Sequence, residues 1–410
     1  MGDPHTQPVS VDASREGRSP VRFLLRELAG SLGDLGTFVP IAVGMVTMAG
    51  FDAGAVLVTA GLVSIATGLM FRIPMAVQPM KAICALAIAG VLSHDQTIVA
   101  GLATGIGVLL LGVTGLIRKL EALLPRVLIC GLQLAVAWQL LISGCKLSVG
   151  LGNTSGGISP LTLCSMAVVV AIMLGAYRIM QGRLEWLAIG FVAGGLLLAF
   201  WADPSLAKPC PITLWQPQWH LPTLAALSGA WIGGIPQLPL TLLNSVFAVS
   251  VLAGDLFPWN RARTTPAKIA ASVGTMNLAT CVLGGMPLCH GSGGLAGQYR
   301  MGARTGLSVI MLGAVKLALG LLFSALALSW MKAFPPAILG LFLMLAGLSL
   351  ADASRFKSIP GALLIAAIML MTQWLADSLA VGFFVGCLVY WLMIRGKQER
   401  NSTWFGKQQN

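Results

Sequence analysis

PLCHGSGGLAGQYR, residues 287–300, separates two long apolar segments of the chain. The glycines that follow His290 allow the backbone to approach a ligand closely. The pattern predicts an extended segment from Pro287 to His290 and a helix that begins near Gly291. A helix that begins inside a membrane directs unpaired N–H groups and a partial positive charge at whatever lies in front of it. For this segment taken alone, a glycine-rich loop between two spans is the alternative.

PMAVQPMKAI, residues 74–83, has the same order of features: an extended run, a polar residue and a helix start. Pro79 is suited to the first helical turn, where its missing N–H costs nothing, and Lys81 is expected in that turn. Gln78 and His290 are separated by about half of the 410 residues. Two interrupted apolar segments at corresponding places in two halves indicate a transporter with inverted repeats.

The composition indicates a membrane protein that crosses the bilayer many times. Hydrophobic residues make up 56% and charged residues 10% of the chain, and the mean hydropathy is +0.84, whereas a soluble domain has about 25% charged residues. The net charge of +12 could indicate nucleic-acid binding, but the basic residues lie mostly between apolar segments, where membrane topology explains them better. We expect a lipid bilayer and no nucleic acid as partner. The eight cysteines form no CxxC and no Cys/His metal spacing, so we expect no metal and no cofactor.

Fourteen apolar segments approach the roughly 20 residues that a span needs. An odd number of spans per half forces the second half to be inverted, so the predicted fold is an all-α polytopic membrane protein, a seven-plus-seven transmembrane inverted repeat with two broken helices. We divide the chain into a disordered cytoplasmic tail (1–21), a first repeat (22–201), an external linker (202–221), a second repeat (222–394) and a cytoplasmic tail (395–410). The predicted spans are 22–49, 54–71, 74–92, 97–117, 123–143, 160–177 and 184–201, then 222–253, 267–285, 287–304, 306–329, 334–351, 359–374 and 376–394.

The distribution of basic residues predicts the orientation. With the N-terminus inside, twenty of the 26 Lys and Arg residues fall on the inner side, and only Lys146, Lys208 and Lys332 fall outside. This excess favours a multi-pass protein of the cell membrane with both termini in the cytoplasm.

Polar side chains inside spans indicate where a substrate would bind. Asp34 and Thr37 are three residues apart and share a helix face of the first span. Gln237, Thr241 and Asn244 share a face of the corresponding span in the second half. A charge at the bilayer centre costs roughly 2.5–3.5 kcal/mol on insertion scales, so we expect Asp34 to face a cavity or a partner. Hydrogen bonds between helices are the alternative role for both sets.

Glu27 and Lys316 are also ionisable residues within spans. Glu27 is nearer the inner interface, where its side chain would reach the lipid headgroups. Lys316 is expected to face the protein interior, and no acid on its own helix is an obvious partner.

Four stretches resemble the molybdate transporters of the sulfate-permease superfamily. They are ELAGSLGDLGT (27–37), VQPMK (77–81), QLPLTLLNS (237–245) and MPLCHGSGGLAGQYR (286–300). They follow the family's order, and the resemblance covers about residues 22–394. It implies a core domain that carries an oxyanion against a gate domain made of spans five to seven and twelve to fourteen. It also implies import of molybdate, and sulfate or another dianion of the same class is the alternative substrate. No regulatory domain is expected after the last span. The resemblance leaves open whether the protein forms a homodimer.

Molybdate and sulfate are tetrahedral dianions, and two facing half-helix N-termini offer together about +1 of charge. Lys81 is the best candidate for the missing charge, and a paired or snorkelling structural lysine is its alternative. Arg300 lies about two turns into its helix and is expected at the inner mouth. The expected substrate-binding residues are Thr37, Gln78, Met80, Lys81, Gln237, Asn244, His290, Gly291, Ser292 and Gly293.

Asp34 would repel a dianion unless it is protonated or paired. It is therefore a candidate proton-coupling group, and a permanent ion pair with Lys81 or Arg300 is the alternative.

Other classes of protein fit the sequence less well. An intramembrane hydrolase would need a nucleophile and a base, for which Ser292 beside His290 is a weak hint, and no HExxH motif is present. A nucleobase permease of the same fold would be expected to offer a carboxylate near the second broken helix, but residues 286–300 contain no acid. We expect a transporter and no enzyme.

Overall fold

A computed structural model describes residues 20–122, 124–149, 184–207, 222–353, 361–376 and 381–392, with 212, 214–217 and 219 of the linker. Within these ranges the protein is mostly helical. The predicted span at 160–177, the predicted C-terminal tail (395–410) and residues 1–19 of the predicted N-terminal tail (1–21) lie outside the described residues, whereas residues 20 and 21 of that tail belong to a helix.

Helices account for nearly all of the described structure. In the first half they are α1 (Pro20–Ser31), α2 (Leu35–Thr47), α3 (Ala53–Phe71), α4 (Lys81–Ile88), α5 (His94–Val113), α6 (Leu116–Ala122), α7 (Arg126–Ser148) and α8 (Leu184–Ala202). In the second half they are α9 (Ile235–Leu240), α10 (Ala248–Leu256), α11 (Pro266–Val282), α12 (Ser292–Arg300), α13 (Leu307–Leu322), α14 (Ser324–Ala333), α15 (Pro336–Ala353), α16 (Ala362–Ala376) and α17 (Val381–Leu392). The strands are β1 (Val77–Pro79) and β2 (Leu288–His290).

Two long helical segments contain irregular turns at the polar residues singled out above. The segment Pro20–Thr47 changes to a 3-10 turn at Leu32–Asp34, and the segment Leu224–Leu256 contains π-helical turns at Ala230–Gly234 and Thr241–Phe247. Such turns free backbone groups from the regular ladder and are frequent at functional sites. Asp34 is therefore held at a break in its helix and not on a regular helical face.

Among the described residues, each half contains a short strand followed by a half-helix, as predicted for its broken span. β1 and β2 pair antiparallel, with Val77 opposite His290 and Pro79 opposite Leu288. A half-helix follows each strand within two residues, α4 after β1 and α12 after β2. All six strand residues are buried, so this polar backbone is enclosed by protein, as a membrane-embedded strand requires.

The first of these helices begins later than the sequence suggested. Pro79 ends β1 and is not part of the helix, Met80 is the N-cap with an extended backbone, and Lys81 is the first helical residue. The ladder explains the shift, because Pro79 is paired with Leu288 and the Met80 N–H is bonded to the Pro287 carbonyl over 2.9 Å.

The helices of the two halves pack against one another. α3 packs along α13, α5 along α11, and α7 along α15. Glycines permit the closest of these approaches: a β-carbon at Gly61 would lie 2.7 Å from the Gly313 carbonyl oxygen, and one at Gly313 would lie 2.8 Å from the Gly61 carbonyl oxygen. Small residues of this kind are typical of helix pairs in membranes. The exchange of partners between halves is the pattern an inverted repeat produces, while the count of seven plus seven stays a prediction.

Among the described residues, five helical segments are long and apolar enough to cross a membrane, or six if one bent pair forms a single span. That pair corrects the prediction of one continuous span at 306–329, because α13 and α14 meet at an angle of 119°. Phe323, between them, has non-helical backbone angles of φ −142° and ψ 39°. The sixteen residues of α13 already extend about 24 Å.

Candidate functional site

The two half-helices begin without a side-chain cap. Met80 precedes α4 and Gly291 precedes α12, both with extended backbone, and neither helix start has a capping hydrogen bond from its N-cap side chain. The first N–H groups of a helix have no partner within that helix. The sequence-predicted residues Lys81, Ser292 and Gly293 supply three of these groups.

Gln78 joins the two broken spans. Its side chain is buried, and Nε2 donates to Asp34 Oδ1. The same amide lies against the backbone of α12, since a β-carbon at Gly291 would overlap Gln78 Oε1 and one at Gly294 would lie 2.9 Å from Asp34 Oδ1. Glycine is therefore required at these positions by space and not only by backbone freedom.

Asp34 is buried, with 1% of its surface exposed, and lies at the centre of the polar cluster. Its Oδ2 has no hydrogen-bond partner among the described residues. The carboxylate interacts electrostatically with two cations, Lys316 first and Lys81 second. Burial of a carboxylate with one free oxygen is costly unless a cation or a proton compensates it.

Lys81 is the first residue of α4 and is half-buried. It interacts electrostatically with Asp34. The structure therefore places a lysine beside the start of one half-helix, where the sequence predicted it.

The second-half residues approach α12 from the long segment Leu224–Leu256. Asn244 Oδ1 accepts from Ser292 Oγ over 2.8 Å. One to two turns earlier, Gln237 Nε2 donates to Thr241 Oγ1 over 2.9 Å, and Gln237 Oε1 has no partner among the described residues. Asn244 thus contacts the start of α12 directly, while Gln237 and Thr241 are bonded to each other.

Two of the predicted substrate ligands already form hydrogen bonds with other groups of the protein. His290 Nδ1 lies 3.1 Å from the Ala76 carbonyl oxygen and Nε2 lies 3.1 Å from Ser272 Oγ. Its ring also packs edge-on against Phe71. The Met80 N–H is already donated to Pro287. Both groups therefore hold the broken spans together and have no free donor for an anion.

The serine–histidine pair suggested for a hydrolase is not formed, because Ser292 is bonded to Asn244 and His290 to Ser272. Arg300 is the last residue of α12 and half-buried, at the opposite end of that half-helix from Gly291. Thr37 is buried in α2, one turn after Asp34.

Glu27 does not extend to the interface as the sequence suggested. It is 1% exposed, and its carboxylate accepts the backbone N–H groups of Arg304, Thr305 and Ser308 over 2.9, 3.0 and 3.2 Å. Glu27 thus caps the loop that leads into α13, because a carboxylate satisfies free N–H groups at a helix N-terminus.

Sequence reasoning missed Asn277, a buried residue of α11. Its Nδ2 donates to the Leu288 carbonyl over 2.6 Å, and its Oδ1 accepts the Leu288 N–H over 2.9 Å. Asn277 therefore supplies the hydrogen bonds that a further strand would supply to β2. An amide within an otherwise apolar span was the signal that could have identified it.

Comparisons with known proteins agree on the class of this chain. A family model described as "Molybdate transporter of MFS superfamily" matches residues 26–140 and 229–350, which include every site residue discussed above. "Molybdate transporter 2" of Arabidopsis thaliana is 36% identical over 90% of this chain and 87% of its own.

Two solved structures are similar in fold. The transmembrane domain of a cyanobacterium bicarbonate transporter, BicA, has a TM-score of 0.55 and 18% identity over 90% of this chain and 96% of its own. The murine Solute Carrier 26 family member A9 anion transporter in its inward-facing state has a TM-score of 0.59 and 14% identity over 93% of this chain and 70% of its own. These likenesses identify the fold as that of an integral, multi-pass membrane transporter.

Proposed function

The chain belongs to the molybdate transporter family, and from this premise we propose that it imports molybdate as a secondary active transporter. The family and the relatives are transporters, so the protein is a transporter and not an enzyme. The observation that carries the proposal is the juxtaposition of two uncapped half-helix starts, α4 and α12, joined by the ladder between β1 and β2.

Charge arithmetic supports a dianion at this position. Each half-helix N-terminus offers about +0.5 of charge, so the two together compensate about half of a dianion. Lys81 at the start of α4 supplies the remaining charge. Its compact ammonium group suits a tetrahedral oxyanion that is bound from several directions.

The proposed ligands are the free N–H groups at the helix starts and the side chains around them. The backbone of Lys81, Ser292 and Gly293 would donate, and Gln78 and Asn244 have amides beside the same helix starts. Thr37 and Gln237 belong to the proposed wall of the site. Met80 and His290 are left out of the set because their donors are used within the protein.

Import of a dianion needs an energy source. Against a negative-inside potential the work is about 2.3 kcal/mol per charge per 100 mV, or roughly 4.6 kcal/mol for two charges. Co-transported protons are the simplest source, and Asp34 is the proposed coupling group because it is buried and has one free oxygen. Both termini are proposed to lie in the cytoplasm, since basic residues are concentrated on that side.

Sulfate or tungstate is the alternative substrate, because both share the charge and shape of molybdate. The test is uptake of molybdate into proteoliposomes, with sulfate and tungstate as competitors over a concentration series. We expect saturable uptake that rises as the external pH falls, and stronger competition by tungstate than by sulfate because its bonds are closer in length to those of molybdate. Saturable sulfate uptake that molybdate does not inhibit would overturn the choice of substrate.

Variants at two residues separate binding from coupling. Lys81→Gln should weaken molybdate binding roughly 30-fold or more, as removal of one member of a buried charge pair does. Asp34→Asn should retain exchange of substrate across the membrane but lose accumulation driven by a proton gradient. Accumulation that persists in Asp34→Asn would assign the coupling elsewhere.

A further inference from the structure

Lys316 is a buried cation in the middle of α13. Only 4% of its surface is exposed, and its Nζ lies 3.6 Å from the centre of the Phe38 ring. Phe38 is itself buried in α2, one helical turn after Asp34. A lysine inside a span is expected to be paired and to serve the function of the protein.

Among the described residues, Asp34 is the acid that interacts electrostatically with this lysine, and it lies one helical turn before the Phe38 ring that Lys316 contacts. Lys81 is the other lysine that interacts with Asp34. The two residues come from opposite halves of the chain, Asp34 from the 3-10 turn of the first span and Lys316 from the helix that packs along α3. The aromatic face of Phe38 holds the ammonium in position from the other side, as cations and aromatic rings attract.

We propose that Lys316 is the permanent counter-charge of Asp34, and that this pairing leaves Lys81 available to bind the oxyanion. The inference deepens the proposed function and rests on it. It replaces the two partners considered for Asp34 from the sequence, Lys81 and Arg300, with a third. Lys316 is a positioning residue, since it acts on the site through Asp34.

The groups around Asp34 define what the loss of Lys316 would do. Gln78 of β1 donates to Oδ1, a β-carbon at Gly294 of α12 would lie 2.9 Å from the same oxygen, and the Cys289 thiol of β2 lies nearby. Without Lys316, Lys81 is the one remaining cation that interacts with Asp34 in the described part of the chain. Lys81 would then be drawn toward Asp34 and away from the oxyanion.

Two consequences follow for Lys316→Gln. At pH values above the midpoint of uptake, where Asp34 is ionised, the apparent KM for molybdate rises, because Lys81 is partly diverted. The pH of half-maximal uptake moves upward by about one unit or more, since a carboxylate without its cation takes up a proton more readily. A lysine that only filled space would change the amount of folded protein and leave this pH midpoint where it was.

The experiment measures molybdate uptake into proteoliposomes across a pH series for wild type, Lys316→Gln, Lys316→Arg and Lys81→Gln. We expect the pH of half-maximal uptake to move in Lys316→Gln. In Lys316→Arg it should stay near that of wild type, whatever the rate of uptake by this variant, because Arg keeps the charge. Lys81→Gln is the matched control, and its main effect should fall on KM. An unmoved midpoint in Lys316→Gln, with wild-type uptake that depends on pH, would overturn the inference.

A double-mutant cycle of molybdate binding tests the same inference. It depends neither on proton coupling nor on the folding of a single variant. Molybdate affinity is measured by calorimetry on purified Asp34→Asn, Lys316→Gln and the double variant, in which both charges are removed. We expect the double variant to bind at least about tenfold more tightly than Lys316→Gln, because Lys81 is no longer diverted. Independent effects of the two substitutions on molybdate affinity would overturn the inference. Uptake by wild type that does not depend on pH would contradict only the proposed proton coupling.

Discussion

At the scale of single residues, the carboxylate of Glu27 is held much as a bound anion would be. Three backbone N–H groups converge on it from the loop before α13 and from the first turn of that helix. Among the described residues, N–H groups at helix starts thus form two arrangements of the same kind. Glu27 permanently fills the first, and the two open helix starts proposed for the substrate form the second. The permanent one fixes α1 to the start of α13, the helix that carries Lys316.

Removal of the Glu27 carboxylate should lower the stability of the protein more than it lowers transport by the protein that remains folded. Glu27→Ala leaves the buried N–H of Ser308 and the part-buried N–H groups of Arg304 and Thr305 without their partner, and a hydrogen bond to a charged group contributes about 1.5–3 kcal/mol. We expect a lower unfolding temperature in a fluorescence-detected melt, and a similar pH dependence of uptake in whatever protein remains folded.

Glu121→Ala is the control for this change, because Glu121 is an exposed carboxylate at the end of α6. A Glu27→Ala protein with unchanged stability and no response to pH would instead make Glu27 the coupling group.

The sequence could identify the role of a site residue only where that role does not depend on partners far away in the chain. Gln78 and Lys81 stood out because a polar residue beside a helix start inside a span has few structural roles. His290 looked equally suited to an anion, but its partners Ser272 and Ala76 lie on other elements. The partner of Lys316 was out of reach for the same reason, since Asp34 is about 280 residues away in sequence.

At the scale of elements, a single side chain closes the edge of the two-stranded ladder. A strand at an edge has unpaired N–H and C=O groups, and Asn277 satisfies both groups of Leu288. The predicted half-helices therefore depend on α11, a helix that no sequence pattern connected with them. The pattern of glycines and prolines indicated where the spans break, but not what holds the broken ends in place.

Asn277→Leu should destabilise the ladder. It leaves one buried donor and one buried acceptor unpaired, at about 1–3 kcal/mol each. We expect a marked loss of folded protein in size-exclusion chromatography and weaker molybdate binding in the fraction that folds. Thr275→Ala on the exposed face of the same helix is the control. Wild-type stability in Asn277→Leu would mean that water or another residue can take over these bonds.

At the scale of the whole molecule, the described residues include two polar links between the helices of the proposed core and gate domains, α10 and α7. Arg126 at the start of α7 forms an ion pair with Asp255 of α10. The pair lines a cavity of about 500 Å³ together with Glu121 and Arg261. Further along the same helices, Gln133 Nε2 donates to the Ala248 carbonyl over 3.2 Å. If the core moves against the gate, these bonds belong to one state of the transport cycle.

Charge reversal tests whether this ion pair depends on the state. Arg126 is 56% exposed, so the pair should contribute only about 0.2–1 kcal/mol. We therefore expect Arg126→Asp and Asp255→Arg each to change the rate of molybdate uptake by no more than about fivefold, and the double reversal to restore it. Additive effects of the two reversals would mean that the ion pair has no role in the cycle.

The sequence anticipated the broad architecture from hydropathy, because that signal accumulates over whole spans. It located the broken spans and most helix boundaries to within a few residues. It did not anticipate which helices pack together, since the pairs α3–α13 and α5–α11 join segments that are far apart in the chain. Close packing of that kind depends on glycine faces that carry no periodic signal of their own.

The pairing of α3 with α13 also constrains how the protein is made. A ribosome that adds about 5–20 residues per second needs roughly 10–50 s to pass from Phe71 to Leu307. During that interval the glycine-lined face of α3 is inside the membrane without its permanent neighbour. The first half must therefore persist as an unfinished bundle until the second half leaves the translocon, and a chain truncated before Leu307 would expose that face to lipid and to membrane proteases.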